Sequence, residues 1–136
     1  MPCELTWESE GVVNRFSGFV SGAEFVGSME AIASDPRFDG IRYIISDRRD
    51  MRGHSIGPIE MECAAVIRFG SMPSNPNIRV LVVAPECEMD ALNESLSKPP
   101  LMGSHPTYAF VDMATARNWL AKMPHLNNPR LLGPRL

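Results

Sequence analysis

Ile41-Arg42-Tyr43-Ile44-Ile45-Ser46 is a short apolar run rich in branched and aromatic side chains, bounded by Gly40 and Asp47. The run IRVLVVA, residues 78–84, has the same character. Near-continuous apolar runs of this length suit strands covered on both faces, which is the habit of a parallel sheet. Between them Pro58 sits where a first helical turn begins, and Ile59, Cys63, Val66 and Ile67 share a stripe. The segment 71–77 carries two prolines and reads as the loop into the next strand. Strand, helix, strand in that order predicts a right-handed crossover.

Toward the N-terminus, Leu5 and Trp7 alternate with Thr6 and Glu8, the period of a half-buried strand. Ser9-Glu10-Gly11 is a turn, and a second extended run follows over 12–19. So short a connection favours an antiparallel pair. Ser21-Gly22-Ala23-Glu24 has capping-box spacing, and Phe25, Val26, Met29, Ile32 and Ala33 then form one helical face. Asp35-Pro36 ends that helix, because the residue before proline disfavours the helical region.

Toward the C-terminus, Pro85 opens a third helix with Met89, Leu92 and Leu96 inward, and Pro99-Pro100 stops it. TYAFV, residues 107–111, is a last strand, and Asp112 caps a final helix carrying Met113, Ala116, Trp119, Leu120 and Met123. The expected fold is therefore a single α/β domain: a mixed, mainly parallel sheet of about five strands with about four helices. The domain spans 1–123. The stretch 124–136, with three prolines and a glycine, is either a loosely ordered tail or an arm docking Leu126, Leu131 and Leu132 on its own domain or a second subunit.

The chain has 136 residues, 44% of them hydrophobic, enough for one ordinary core. Thirteen Lys and Arg against 16 Asp and Glu give a net charge of -3, which offers no basic face for nucleic acid. No stretch approaches the roughly 18 continuous apolar residues of a membrane span. The start MPCELTWESE has no secretory-signal pattern, and three cysteines without a CxxC suit a reducing cytoplasm.

Four pieces together resemble the STAS domain, more closely its SpoIIAA-like, STAS/SEC14-type stand-alone bacterial members. They are FSGFVSGAEF, DPRFDGIRYIISD, IRVLVVAPE and YAFVDMATARNWL, covering most of residues 5–121. The resemblance implies a non-enzymatic regulatory or protein-interaction module. It also implies a phosphoacceptor serine or threonine just after an aspartate at the end of the third strand. Here Asp47 takes the aspartate's place, but Arg48, Arg49 and Asp50 follow, and no hydroxyl occurs until Ser55.

Residues 47–55 are expected to be a loop at the carboxyl end of a central strand, where open α/β sheets place ligands. Asp47, Arg48, Arg49, Met51, Arg52, His54 and Ser55 are the candidate binding residues, with Ile56 adding apolar contact. Guanidiniums grip carboxylates or phosphates by paired hydrogen bonds, or they pair locally with Asp47 and Asp50. Cys87 starts a helix amid acids, which disfavour a thiolate, and Cys63 is expected in the core.

The three histidines fall in separate loops without metal-ligand spacing, His105 at the opposite end of the sheet from His54. Glu60/Glu62 and Glu86/Glu88 read as solvated faces. No nucleotide or hydrolase signature occurs, so neither a cofactor nor an enzyme is expected. Nine methionines fill a core or line a pliable groove for an anionic or lipid-like ligand, with Leu101-Met102 as its lid. The leading expectation is a protein-interaction module, and the alternative is a carrier of such a ligand. Self-association through the first strand's edge or the C-terminal arm is a further expectation.

Overall fold

The computed structural model of the protein describes residues 2–96 and 105–123. Both Leu101-Met102 and the stretch 124–136 lie outside the described residues. The chain runs β1 (Cys3–Trp7), β2 (Gly11–Val20), α1 (Gly22–Ser34), β3 (Tyr43–His54), α2 (Pro58–Ser71), β4 (Arg79–Val83), α3 (Met89–Leu96), β5 (Thr107–Phe110) and α4 (Met113–Ala121). Short 3-10 turns, Pro36–Gly40 and Glu86–Glu88, precede β3 and α3. One sheet holds the strands in sequence order, with β1 antiparallel to β2 and all later pairs parallel. No helix among the described residues is long and apolar enough to cross a membrane.

The expected order of strands and helices is observed, and its local causes are visible. Ser21 Oγ accepts from Glu24 N at 3.1 Å while Glu24 Oε1 accepts from Ser21 N at 2.9 Å, a complete capping box. Asp112 Oδ1 caps α4 through Thr115 N at 2.6 Å. At Gly11, where β2 begins, a Cβ would overlap the Tyr43 ring, so only glycine lets that ring pack there.

Two faces of the sheet carry different loads. Among the described residues α4 alone covers one, with Ala116 and Leu120 against Ile45, Leu81 and Val83. On the other, Ile32 of α1, Phe38 and α3's Met89 and Leu92 pack on Val12, Val80 and Val82. A separate cluster on that second face joins Phe16 and Val20 to Phe25 of α1 and Ala64 of α2. Buried Asn75 ties the lower end: its Nδ2 donates to the carbonyls of Phe38 and Ile41, both at 2.8 Å. Its own carbonyl accepts from His105 Nε2 at 2.7 Å, which fixes the ring as the Nε2–H tautomer when neutral.

Three expectations are corrected. Residues 47–54 are strand, because β2 is ten residues long and offers pairing partners as far as Val20 opposite His54. The stripe Ile59, Cys63 and Val66 faces outward, with Ile59 72% and Val66 70% exposed. Of the expected stripe Ile67 alone turns inward, joining Met61 and Ala64 on the pocket side of α2, where Ala64 packs with Phe25 of α1. Glu60 is not a solvated acid: its Oε1 accepts from Gly57 N at 2.7 Å and caps α2.

Candidate functional site

Among the described residues the two clusters on the helix-rich face remain separate. Between them, under α1, α2 and α3, lies a pocket of about 400 Å³. Ligand sites commonly fall between roughly 300 and 1,000 Å³ and are mostly apolar with a few converging polar groups. This one fits that description. Phe16, Phe25, Met29, Met51 and Met61 form one wall, and Ile32, Phe38, Ile44, Val80 and Val82 another.

Strand alternation supplies the polar groups. On β3, Ile44, Ser46 and Arg48 share the pocket side, with Asn14 of β2 opposite Ser46. Asn14 Nδ2 donates to Ser28 Oγ at 3.0 Å, and Ser28 in turn donates to Phe25 O at 2.7 Å. That chain fixes the amide's orientation and leaves buried Asn14 Oδ1 with no hydrogen-bond partner among the described residues.

Arg48 and Arg68 are the charged groups of greatest consequence. Arg48 enters from β3 and Arg68 from the last turn of α2, and both line the pocket. Arg68 Nη1 donates to Thr107 Oγ1 at 3.3 Å. Arg48 makes no hydrogen bond or ion pair among the described residues; the charge of Glu88, in the same wall, is what favours its cation. Burial lowers the pKa of Arg48, and burial together with the Arg48 charge lowers that of Arg68 to about 10. Both residues keep partial solvent access, yet protein packs around each guanidinium. His105 also lines the pocket; burial first, and the Arg68 charge, hold its pKa below the usual imidazole value.

The seven candidate residues are divided. Arg48, Met51 and His54 face the pocket together. Register shifts in the β2–β3 pairing, after Arg15 and after Gly18, return Met51 and His54 to the side of Arg48 despite their three-residue spacing. Asp47 and Arg49 are not in the wall. They pair with each other, Arg49 Nε and Nη2 donating to Asp47 at 2.9 and 2.8 Å. Burial works to raise the Asp47 carboxyl, but the Arg49 bonds and charge and the Arg15 charge outweigh it, so its pKa is lowered. Asp50 pairs with Arg15, and Arg52 is exposed. Ser55 Oγ accepts from Gly22 N at 3.2 Å, fastening the end of β3 to α1.

Sequence reasoning missed Arg68, Glu88 and Asn14. Continuing the two-residue period of β3 past Ser46 would have put Arg48 on the Ile44 face. Nothing local marks Arg68, whose place depends on β5. Cys63 and Cys87 are both exposed.

No family model matches the chain, and no curated protein matches it. Solved structures do. The unphosphorylated anti-sigma factor antagonist SpoIIAA superposes with a TM-score of 0.59 at 14% identity, covering 89% of this chain and 99% of that one. An uncharacterized DUF3478-family protein with a SpoIIAA-like fold, from Shewanella loihica, gives 0.54 at 12% identity, covering 87% and 91%. The chain has a STAS-like fold. At these identities the likeness concerns the fold, and function has to be argued from the site.

Proposed function

We propose that this chain is a non-enzymatic binding module that holds a small molecule in the pocket between its sheet and α1, α2 and α3. The observation that carries the reading is a 400 Å³ apolar pocket into which two guanidiniums project with no carboxylate bonded to either among the described residues. Partly buried cations without a carboxylate to pair with are costly, and a core selected only for stability replaces them with apolar side chains. An occupant that neutralises them accounts for their presence. The residue after Asp47, where the STAS resemblance implies a phosphoacceptor, is Arg48, so control passes to the occupant rather than to a phosphate ester. Native mass spectrometry tests this. Wild-type protein carries extra mass that is lost on denaturation, and the pocket-filling variant Ser46→Leu carries none. A clean mass for the wild type, with no thermal shift from any compound in a metabolite library, contradicts the reading.

A second reading is a protein-interaction module, as the name of the anti-sigma factor antagonist suggests for that protein. Its support is the outward stripe Ile59, Cys63, Val66 and Phe69 on α2, an apolar row left uncovered within the described residues. Val66→Glu abolishes partner capture on this reading and leaves ligand binding intact. Unchanged capture removes the stripe from consideration.

A further inference from the structure

We infer that the occupant of the pocket is a singly charged amphipathic anion, a medium-chain carboxylate, with its head between Arg48 and Arg68 and its chain on the Phe16, Phe25 and Met61 wall. The inference rests on the reading of the pocket as a binding site and adds the chemistry of what it binds.

Charge selects the head. Among the described residues the pocket wall carries two guanidiniums and one acidic side chain, Glu88. Two positive charges against one negative leave a single positive charge to be matched. A carboxylate supplies one negative charge, whereas a phosphate monoester carries about 1.5 to 2 at neutral pH and would be over-charged here. Guanidiniums also present paired donors in a plane that fits a carboxylate's two oxygens. Arg48, with no hydrogen bond of its own among the described residues, has its donors available.

The walls select the body. A bare hydrated anion would sit against phenylalanine and methionine side chains and gain nothing from them. An aliphatic chain removes that apolar surface from water, worth about 0.8 kcal/mol per methylene, or about a fourfold gain in affinity for each. At about 30 Å³ for each water-sized group, 400 Å³ accepts roughly a dozen such groups. Met29, Met51 and Met61 supply unbranched, polarisable side chains that adjust to a flexible chain. The aliphatic chain lies between the two core clusters, so it completes a core that the described residues leave open.

Titration calorimetry on the full chain tests the inference with dodecanoate, hexanoate, dodecyl phosphate, dodecanol and dodecyltrimethylammonium, each below its micelle-forming concentration. Dodecanoate binds one per chain, at least a hundredfold more tightly than hexanoate and more tightly than dodecyl phosphate. The variant Arg48→Met with Arg68→Met loses at least tenfold of that affinity while its binding of dodecanol is unchanged. Its thermal melt confirms that it folds, and Arg48→Lys, which keeps the charge but not the paired donors, loses an intermediate amount.

Equal affinity for dodecyltrimethylammonium, or a double variant that binds dodecanoate like the wild type, overturns the anion and leaves the pocket reading standing. Tighter binding of dodecyl phosphate overturns the single charge. Failure of every amphiphile, while native mass spectrometry still finds a bound molecule, overturns the aliphatic chain alone. Failure in both measurements overturns the pocket reading itself.

Discussion

Arg48 on β3 and Arg68 on α2 act on one another across the pocket, the charge of the first adding to burial in lowering the proton affinity of the second. Two like charges 20 residues apart in sequence, brought together by consecutive elements, oppose folding. Their joint presence is the feature that a purely structural account of this core leaves unexplained.

The first prediction concerns stability without ligand. Arg48→Met with Arg68→Met should raise the urea midpoint with the slope unchanged, a gain of about 1 kcal/mol in stability, because it removes two like charges that no bonded carboxylate offsets. A variant that gains stability while losing dodecanoate binding separates a functional role from a structural one. A loss of several kcal/mol would make the arginines part of the scaffold.

A contrasting result is expected at Asn75. Its side chain satisfies two buried carbonyls, and the carbonyl of the same residue holds His105. Asn75→Ala strands both carbonyls and should cost about 3 kcal/mol by chemical denaturation. Ser34→Ala, which removes an exposed local bond to Glu30 O, should change little.

The cap of α1 is a third test. Ser21→Ala removes the acceptor for Glu24 N and should cost about 1 kcal/mol. Amide exchange should accelerate in the first turn of α1 and not in α4.

Acid sensitivity follows from His105. Its folded-state pKa is lowered from 6.5, by burial before all else, so the unfolded chain binds the proton more readily. The stability this group contributes is therefore complete above pH 6.5 and is lost as pH falls through its lower folded value. Melting temperature should begin to fall below about pH 6.5, ahead of the carboxylates, whose ordinary values lie near 4. Replacing the ring with His105→Gln should flatten that part of the profile, and an identical profile would contradict it.

Much of the fold was legible because its signals are local. The capping box at Ser21, the proline after Asp35 and the two apolar runs at the centre each fix one element with near neighbours only. Two features were not, for physical reasons. Residues 47–54 read as a loop because their side chains are polar, yet a strand is decided by pairing, and β2 provides it from more than 30 residues away. The helix α2 has an apolar stripe in its sequence, and three of its four members, Ile59, Cys63 and Val66, face away from the core, while Ile67 faces the pocket. Close packing favoured the small Ala64 inward, a choice that hydrophobic spacing cannot show.

The candidate site was half legible. Arg48, Met51 and His54 were in the proposed set, but they were grouped with Asp47 and Arg49, which alternate to other surroundings. Arg68 reaches the same pocket from α2 and Glu88 from the 3-10 turn before α3, and the placement of both depends on the finished sheet.

The most direct test of the pocket is an amide and methyl shift map of the protein titrated with dodecanoate. The account predicts saturable shifts at Ser46, Arg48, Met51, Ala64 and Arg68, with Ala116 and Leu120 under α4 unmoved. Shifts confined to the outward row Ile59, Cys63 and Val66, or none at saturating ligand, would contradict it.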